Sequence, residues 1–190
     1  MPDWLITPCV AEDLPAIVDL VNSAYRGDSA RGGWTTEADY VDGQRTSLDD
    51  LKADLAAPAK PTLLVLRRAA GDEILACVLV ERIERPDGGS SAYIGMVTVQ
   101  PGLQAAGLGR TMLEAAEAHG LGWGADRARM TVVSIRDTLI AWYERRGYRR
   151  TGERQPFPYG DARFGVPRRP DLEFIILDKP LVQASLPVSG

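Results

Sequence analysis

The chain has 190 residues, 45% of them hydrophobic, and a formal net charge of -4 from 22 Lys and Arg against 26 Asp and Glu. That length and apolar content can bury one substantial core, and no long flexible linker interrupts residues 4–179, so one domain over 1–180 with a tail at 181–190 is expected. The acidic balance removes the broad positive footprint that nucleic acid needs, no apolar run is long enough for a bilayer, and the amino terminus lacks a basic-then-apolar leader, so the expectation is a cytoplasmic protein without nucleic-acid or membrane partners.

The spacing predicts a short strand over 4–9 and a helix over 11–24, with Leu14, Ile17, Val18, Leu20 and Val21 on its apolar side and Glu12 and Asp13 in its first turn. Residues 25–46 lose clear periodicity and read as a long loop, within which 36–40 could form a helical turn. A second helix is expected over 49–56, then a hairpin of two buried strands, 62–67 and 73–82. A strand over 92–99 feeds a helix over 109–119, in which Leu108, Met112, Leu113, Ala115 and Ala116 recur at helical spacing. A strand follows over 130–135, then a helix capped by Asp137 or Thr138 and closed near Arg146 by a left-handed Gly147, then strands over 148–153 and 172–177. Between these last two, Pro156, Pro158, Pro167 and Pro170 with Gly160 and Gly165 read as a functional loop.

Cys9 and Cys77 each sit in an apolar stretch and read as small buried thiols, with neither a disulfide nor a catalytic role. His119, alone and late in a helix, reads as a terminal surface residue, and no metal site is expected.

The segment that carries chemistry is the turn from the 92–99 strand into the next helix. A helix start leaves backbone N–H groups unpaired and partially positive, and Gly107 and Gly109 lack the Cβ atoms that would keep an anion away. A nucleotide P-loop fails, because Leu108-Gly109 stands where Lys and Ser or Thr are needed. A dinucleotide fingerprint fails too, because Met112 occupies the position of its third glycine. The pattern Gln/Arg-x-x-Gly-x-Gly/Ala after a strand is satisfied in full by Gln104-Ala105-Ala106-Gly107-Leu108-Gly109. Taken alone, two glycines serve a tight strand-to-helix connection as readily as a ligand. A second segment, Ile140-Ala-Trp-Tyr-Glu-Arg-Arg-Gly-Tyr148, supplies an aromatic-Tyr-Glu-basic-x-Gly-aromatic helix end in the right order.

Together these two segments resemble the GNAT superfamily of N-acetyltransferases, and the resemblance covers roughly residues 5–179, with the part before Tyr93 matching in element order alone. It implies an α/β (α+β) fold with a mixed central sheet flanked by helices and split like a V beside the fourth strand, with acetyl-CoA as co-substrate in the split. Backbone groups of Val97 and Val99 would then meet pantetheine, and Gln104, Ala105, Ala106, Gly107, Leu108, Gly109 and Arg110 would hold the pyrophosphate. Arg136 departs from the family, which often carries Asn there. Gly95, in mid-strand, marks either a bulge or simple tolerance.

The implied reaction is transfer of acetyl to a primary amine of a small molecule by direct attack in a ternary complex. It needs an N–H donor for the developing oxyanion, assigned by the resemblance to Val97, and an acid for the departing thiolate, assigned to Tyr143, whose phenol keeps its proton at neutral pH. Tyr143 also reads as a core aromatic beside Trp142. Protonated alkylamines require a base, for which Glu37 is the first candidate and Glu81 the second, each also readable as a solvated or capping carboxylate. Tyr25, Trp34 and Tyr159 are candidate walls of the acceptor pocket. Two rivals stay open: a CoA-binding sensor or structural module without turnover, and an acyltransferase for longer acyl donors. A homodimer is also open, with the stretch 156–170 available for the contact.

Overall fold

The computed structural model describes residues 4–26, 37–69 and 71–182. Strand β1 (Trp4–Pro8) leads through a 3-10 turn at Ala11–Asp13 into helix α1 (Leu14–Tyr25), where Pro15 occupies the first turn, in which a missing N–H removes no helical bond. Asp13 anchors this entry: its Oδ2 accepts from the Val10 N–H at 2.9 Å and from Arg67 Nη2 at 2.6 Å. Strand β2 (Val41–Asp42) and helix α2 (Leu48–Leu55) follow, the latter capped by Ser47, whose hydroxyl accepts from the Asp50 N–H at 3.1 Å.

Strands β3 (Thr62–Arg68), β4 (Ile74–Glu84) and β5 (Ser90–Val99) then run as an antiparallel meander. Helix α3 (Leu108–Gly122), strand β6 (Arg127–Val133), helix α4 (Asp137–Glu144), strand β7 (Arg149–Pro156), strand β8 (Val166–Pro167) and strand β9 (Glu173–Pro180) complete the chain. The order of the long elements is the expected one. Two details differ. Arg136, and neither Asp137 nor Thr138, takes the N-cap position of α4, without a side-chain capping bond. The proline-rich stretch also contains β8, which pairs antiparallel with β2 through Val41↔Pro167 and Asp42↔Val166. A two-residue ladder carries no periodicity, so the sequence pattern does not betray it.

Seven strands form one sheet in the order β1-β3-β4-β5-β6-β9-β7. β5 and β6 are its parallel pair, in register only over Ser91↔Arg127, Ala92↔Ala128 and Tyr93↔Arg129, whereas β6 stays paired with β9 as far as Val133↔Phe174. Beyond Tyr93 the two strands part, and the sheet opens as the V anticipated beside the fourth long strand. On its other side, β5 pairs Thr98 with Cys77 and Gly95 with Leu79, so Met96 and Val97 together oppose one residue, Val78. This is a bulge immediately after Gly95, and its left-handed residue is Met96, with φ of 53°.

Both sheet faces are covered, which is why β3 reads as an apolar run: Leu64 and Leu66 join Met112, Leu113, Ile140 and Leu177 on the α3/α4 side, while Leu63 and Val65 join Ile17, Val21, Leu51 and Cys77 on the α1/α2 side. Burial pushes the free Cys77 thiol up to about 12, as expected of a core residue. Helix α3 approaches β5 so closely that a Cβ on Gly120 would stand 2.3 Å from that of Ala92. Beneath it, Glu117 is satisfied twice, accepting from the Tyr148 hydroxyl at 2.9 Å and pairing with Lys179 at 2.7 Å. His119 lies half-buried, edge-on to Trp123 at 4.7 Å between ring centroids. No described helix is long and apolar enough to cross a membrane.

Candidate active site

The glycine turn is built from the end of β5 outward. Leu103 N–H donates to Gln100 O at 3.0 Å, a 3-10 turn spans Gln104–Ala106, and Gly107 takes the left-handed conformation with φ of 81° before α3 begins at Leu108, one residue before the expected start. Gln104 Nε2 donates to Val99 O at 3.3 Å, so the first residue of the motif ties the loop to the strand. No side chain caps α3, and a Cβ at Gly107 would meet nothing within 4 Å. An uncapped helix start with clear space before it suits an anionic ligand such as a pyrophosphate. Ala105 and Ala106 are exposed on this turn, Gly109 is buried, and Arg110 reaches Glu114 one helical turn on at 3.7 Å.

Where β5 and β6 part, the protein encloses a cavity of about 710 Å³. Val97, Tyr143, Glu37, Glu81 and Tyr25 all line it, although their elements come from across the chain. The Tyr25 hydroxyl, at the end of α1, donates to Val97 O at 2.9 Å, so α1 is pinned to the bulge. Tyr143 is buried on α4 with its ring edge-on to Trp142 and Tyr148, at centroid distances of 5.1 and 5.7 Å. Burial pushes its phenol well above the usual range, and the hydroxyl has no hydrogen-bond partner among the described residues.

The two carboxylates differ in their surroundings. Glu37 opens a single helical turn in which Tyr40 and Val41 donate to its carbonyl, at 3.1 and 3.0 Å, so the turn expected near 36–40 forms. This turn covers 37–41, and residue 36 of the expected turn lies outside the described residues; the Glu37 carboxylate is held by Arg26 on one oxygen and by Arg136 Nη1 on the other, at 3.4 Å. Burial alone would raise its pKa, but Arg136, Arg45 and Arg26 outweigh burial and hold the carboxyl below its ordinary value. A carboxylate so engaged is a weak proton acceptor. Glu81, on β4 opposite Tyr93, has neither an ion pair nor a side-chain hydrogen bond among the described residues.

The remaining candidates fall elsewhere. Trp34 lies outside the described residues. Tyr159 is not part of the cavity wall: its hydroxyl donates to Arg169 O at 2.9 Å and accepts from the Leu172 N–H at 2.7 Å, and its ring packs edge-on to Phe157. Val99 and the 104–110 turn sit beyond the cavity, at the far end of β5. Sequence reasoning missed Arg26 and Arg45 on the wall and the bonding of Tyr93 to Thr131, at 2.8 Å between hydroxyls, across the opening of the split. Arg136, noted as a departure from the family, proves to be the partner of Glu37. Among the described residues no three His, Cys, Asp or Glu side chains gather as a metal site.

A family model described as Acetyltransferase (GNAT) family matches residues 16–148. No curated protein matches the chain. Solved structures do: yncA from Salmonella typhimurium, solved with its cofactor acetyl-CoA, superposes with a TM-score of 0.66 at 17% identity, over 99% of each chain. The ribosomal-protein-S18-alanine N-acetyltransferase from Escherichia coli gives 0.62 at 17% identity, over 98% of this chain and 99% of the other. Naa20 from Chaetomium thermophilum, in complex with a bisubstrate analogue, gives 0.65 at 20% identity, over 93% and 86%. At these identities the structures speak to the fold alone. With the family model spanning both signature segments, the chain belongs to the GNAT family of acetyltransferases.

Proposed function

We propose that the protein transfers the acetyl group of acetyl-CoA to a primary amine of a small molecule by direct attack within a ternary complex. The observation that carries this reading is convergence: the backbone of Val97 at a bulge, an unpartnered phenol at Tyr143 and an uncommitted carboxylate at Glu81 line one cavity in the split of the sheet. A module that merely held CoA would need the glycine turn and the parted strands, but not a buried phenol facing that space.

Acetyl-CoA, when bound, supplies a thioester carbonyl and a thiolate leaving group. Val97 and Val99 offer backbone groups for the pantetheine amides, and residues 104–110 offer helix-start N–H groups for the pyrophosphate. The Val97 N–H is the donor we assign to the charge that develops on the carbonyl oxygen. Tyr143, held protonated by burial, gives its proton to the departing sulfur and regains one from the nitrogen as the amide forms. Glu81 takes the proton of the incoming ammonium, a role for which Glu37 is unsuited because two guanidinium groups already occupy it.

The test is release of free thiol from acetyl-CoA across a panel of small amines, with the parent and Glu81→Gln compared at neutral pH. Glu81→Gln is expected to lower kcat by roughly 100-fold or more while keeping CoA affinity. Full turnover in that variant would remove Glu81 from the mechanism, and CoA binding without thiol release from any amine would favour the binding module.

A further inference from the structure

The cavity is lined by four guanidinium groups and two carboxylates, and these charges are unevenly placed. Arg129 is consumed by Asp178, at 2.9 Å, and by Glu153. At the end formed by α1, the 37–45 segment and the start of α4, Arg26, Arg45 and Arg136 line the wall with Glu37, the one carboxylate there among the described residues. The protein as a whole carries a net charge of -4, so this positive end runs against the general balance of the molecule.

Two details show that the positive charge is not fully used within the protein. Arg26 is only 8% exposed, and its buried Nε has no hydrogen-bond partner among the described residues, a donor that is costly to leave unmade. The Arg45 guanidinium lies over the Tyr25 ring, 5.6 Å from its centroid, and has no ion pair among the described residues. Glu37 fixes Arg26 in place but leaves that fork incomplete, and a planar fork of donors matches the two oxygens of a carboxylate.

We infer that the acceptor amine also carries a carboxylate, and that Arg26 and Arg45 recognise it at this end of the cavity. The inference rests on the acetyltransferase reading above and narrows its acceptor to amino-acid-like compounds. Cationic acceptors such as polyamines would bring like charge to the same wall, and Glu37 acts as a positioning residue that fixes the Arg26 guanidinium at this wall.

The experiment compares matched pairs, each an amino acid and its carboxamide on the same carbon skeleton, with spermidine as the cationic probe. In thiol release, kcat/KM for the carboxylate member should exceed that of the amide by roughly 10- to 100-fold, the scale of a hydrogen bond to a charged group. The ratio should fall toward one in Arg45→Gln and in Arg26→Gln. Arg45, which has no ion pair to lose, keeps the test sound if Arg26→Gln fails to fold. Calorimetry of the same pairs on CoA-loaded protein separates the two readings. Tighter binding of the carboxylate member without turnover would sink the transferase reading and leave the anion site standing. Equal kcat/KM for both members, a preference for spermidine, or a ratio unmoved in Arg45→Gln would overturn the inference.

Discussion

Glu37→Gln decides whether this residue is a proton acceptor or a structural counter-ion. The substitution keeps the shape of the side chain and removes its charge, leaving Arg26 and Arg136, 8% and 9% exposed, without the carboxylate that now binds both. Removing one partner of a buried ion pair costs about 3–5 kcal/mol, because the remaining charge stays desolvated. For a chain of this size each kcal/mol moves the melting temperature by about 2–4 °C, so the expected fall is about 6–20 °C, with an unchanged slope in urea titration. The pH dependence has a definite sign. Burial opposes ionisation of Glu37, but Arg136, Arg45 and Arg26 together depress its folded pKa below the unfolded value of 4.5, so its contribution is complete above about pH 4.5 and is lost as pH falls through the folded pKa. The deficit of Glu37→Gln should therefore be full at pH 7 and shrink in acid. A variant that melts within about 1 kcal/mol of the parent, yet loses turnover with a changed pH–rate profile, would refute the counter-ion assignment and restore Glu37 as the base.

Tyr143→Phe keeps the ring that packs on Trp142 and Tyr148 and removes a hydroxyl without a partner among the described residues, so melting should stay near the parent while kcat falls by roughly 100-fold. Because burial raises this phenol, the parent should show no loss of kcat through Tyr143 ionisation below about pH 10, and an unchanged maximal rate in the variant would reduce Tyr143 to packing. Gly109→Val places a branched side chain at the start of α3, where the pyrophosphate is assigned, and calorimetry should show CoA affinity falling at least roughly 10-fold. Affinity equal to the parent in a folded variant would remove the glycine turn from the cofactor site.

The parts of the site legible in the sequence are those encoded locally. The turn from β5 into α3 and the helix end carrying Tyr143 are contiguous runs whose glycines and aromatics occupy fixed offsets. The bulge was half visible: Gly95 marked the place, but the left-handed backbone fell on Met96, which no propensity rule selects. The arginine clamp was not legible, since Glu37 joins Arg26 eleven residues away and Arg136 ninety-nine residues away, and charged residues in aperiodic loops carry no pattern that predicts their partners. Glu37 stands first as a base from its place in the long loop, and its pairing with Arg26 and Arg136 is a fact of tertiary structure that no local pattern encodes. Tyr159 read as a wall because it is aromatic and sits in a long loop, whereas its hydroxyl braces that loop from within.

The small ribbon of β2 and β8 joins distant parts of the chain, with the Arg168 side chain paired to Asp42 across 126 residues of sequence, and it rests on a separate apolar cluster of Val41, Val133, Phe157 and Leu172. The glycine turn before α3 draws its support from the main sheet and α3 instead. The ribbon and the glycine turn therefore rest on different apolar clusters, so a change in the packing of one need not disturb the other.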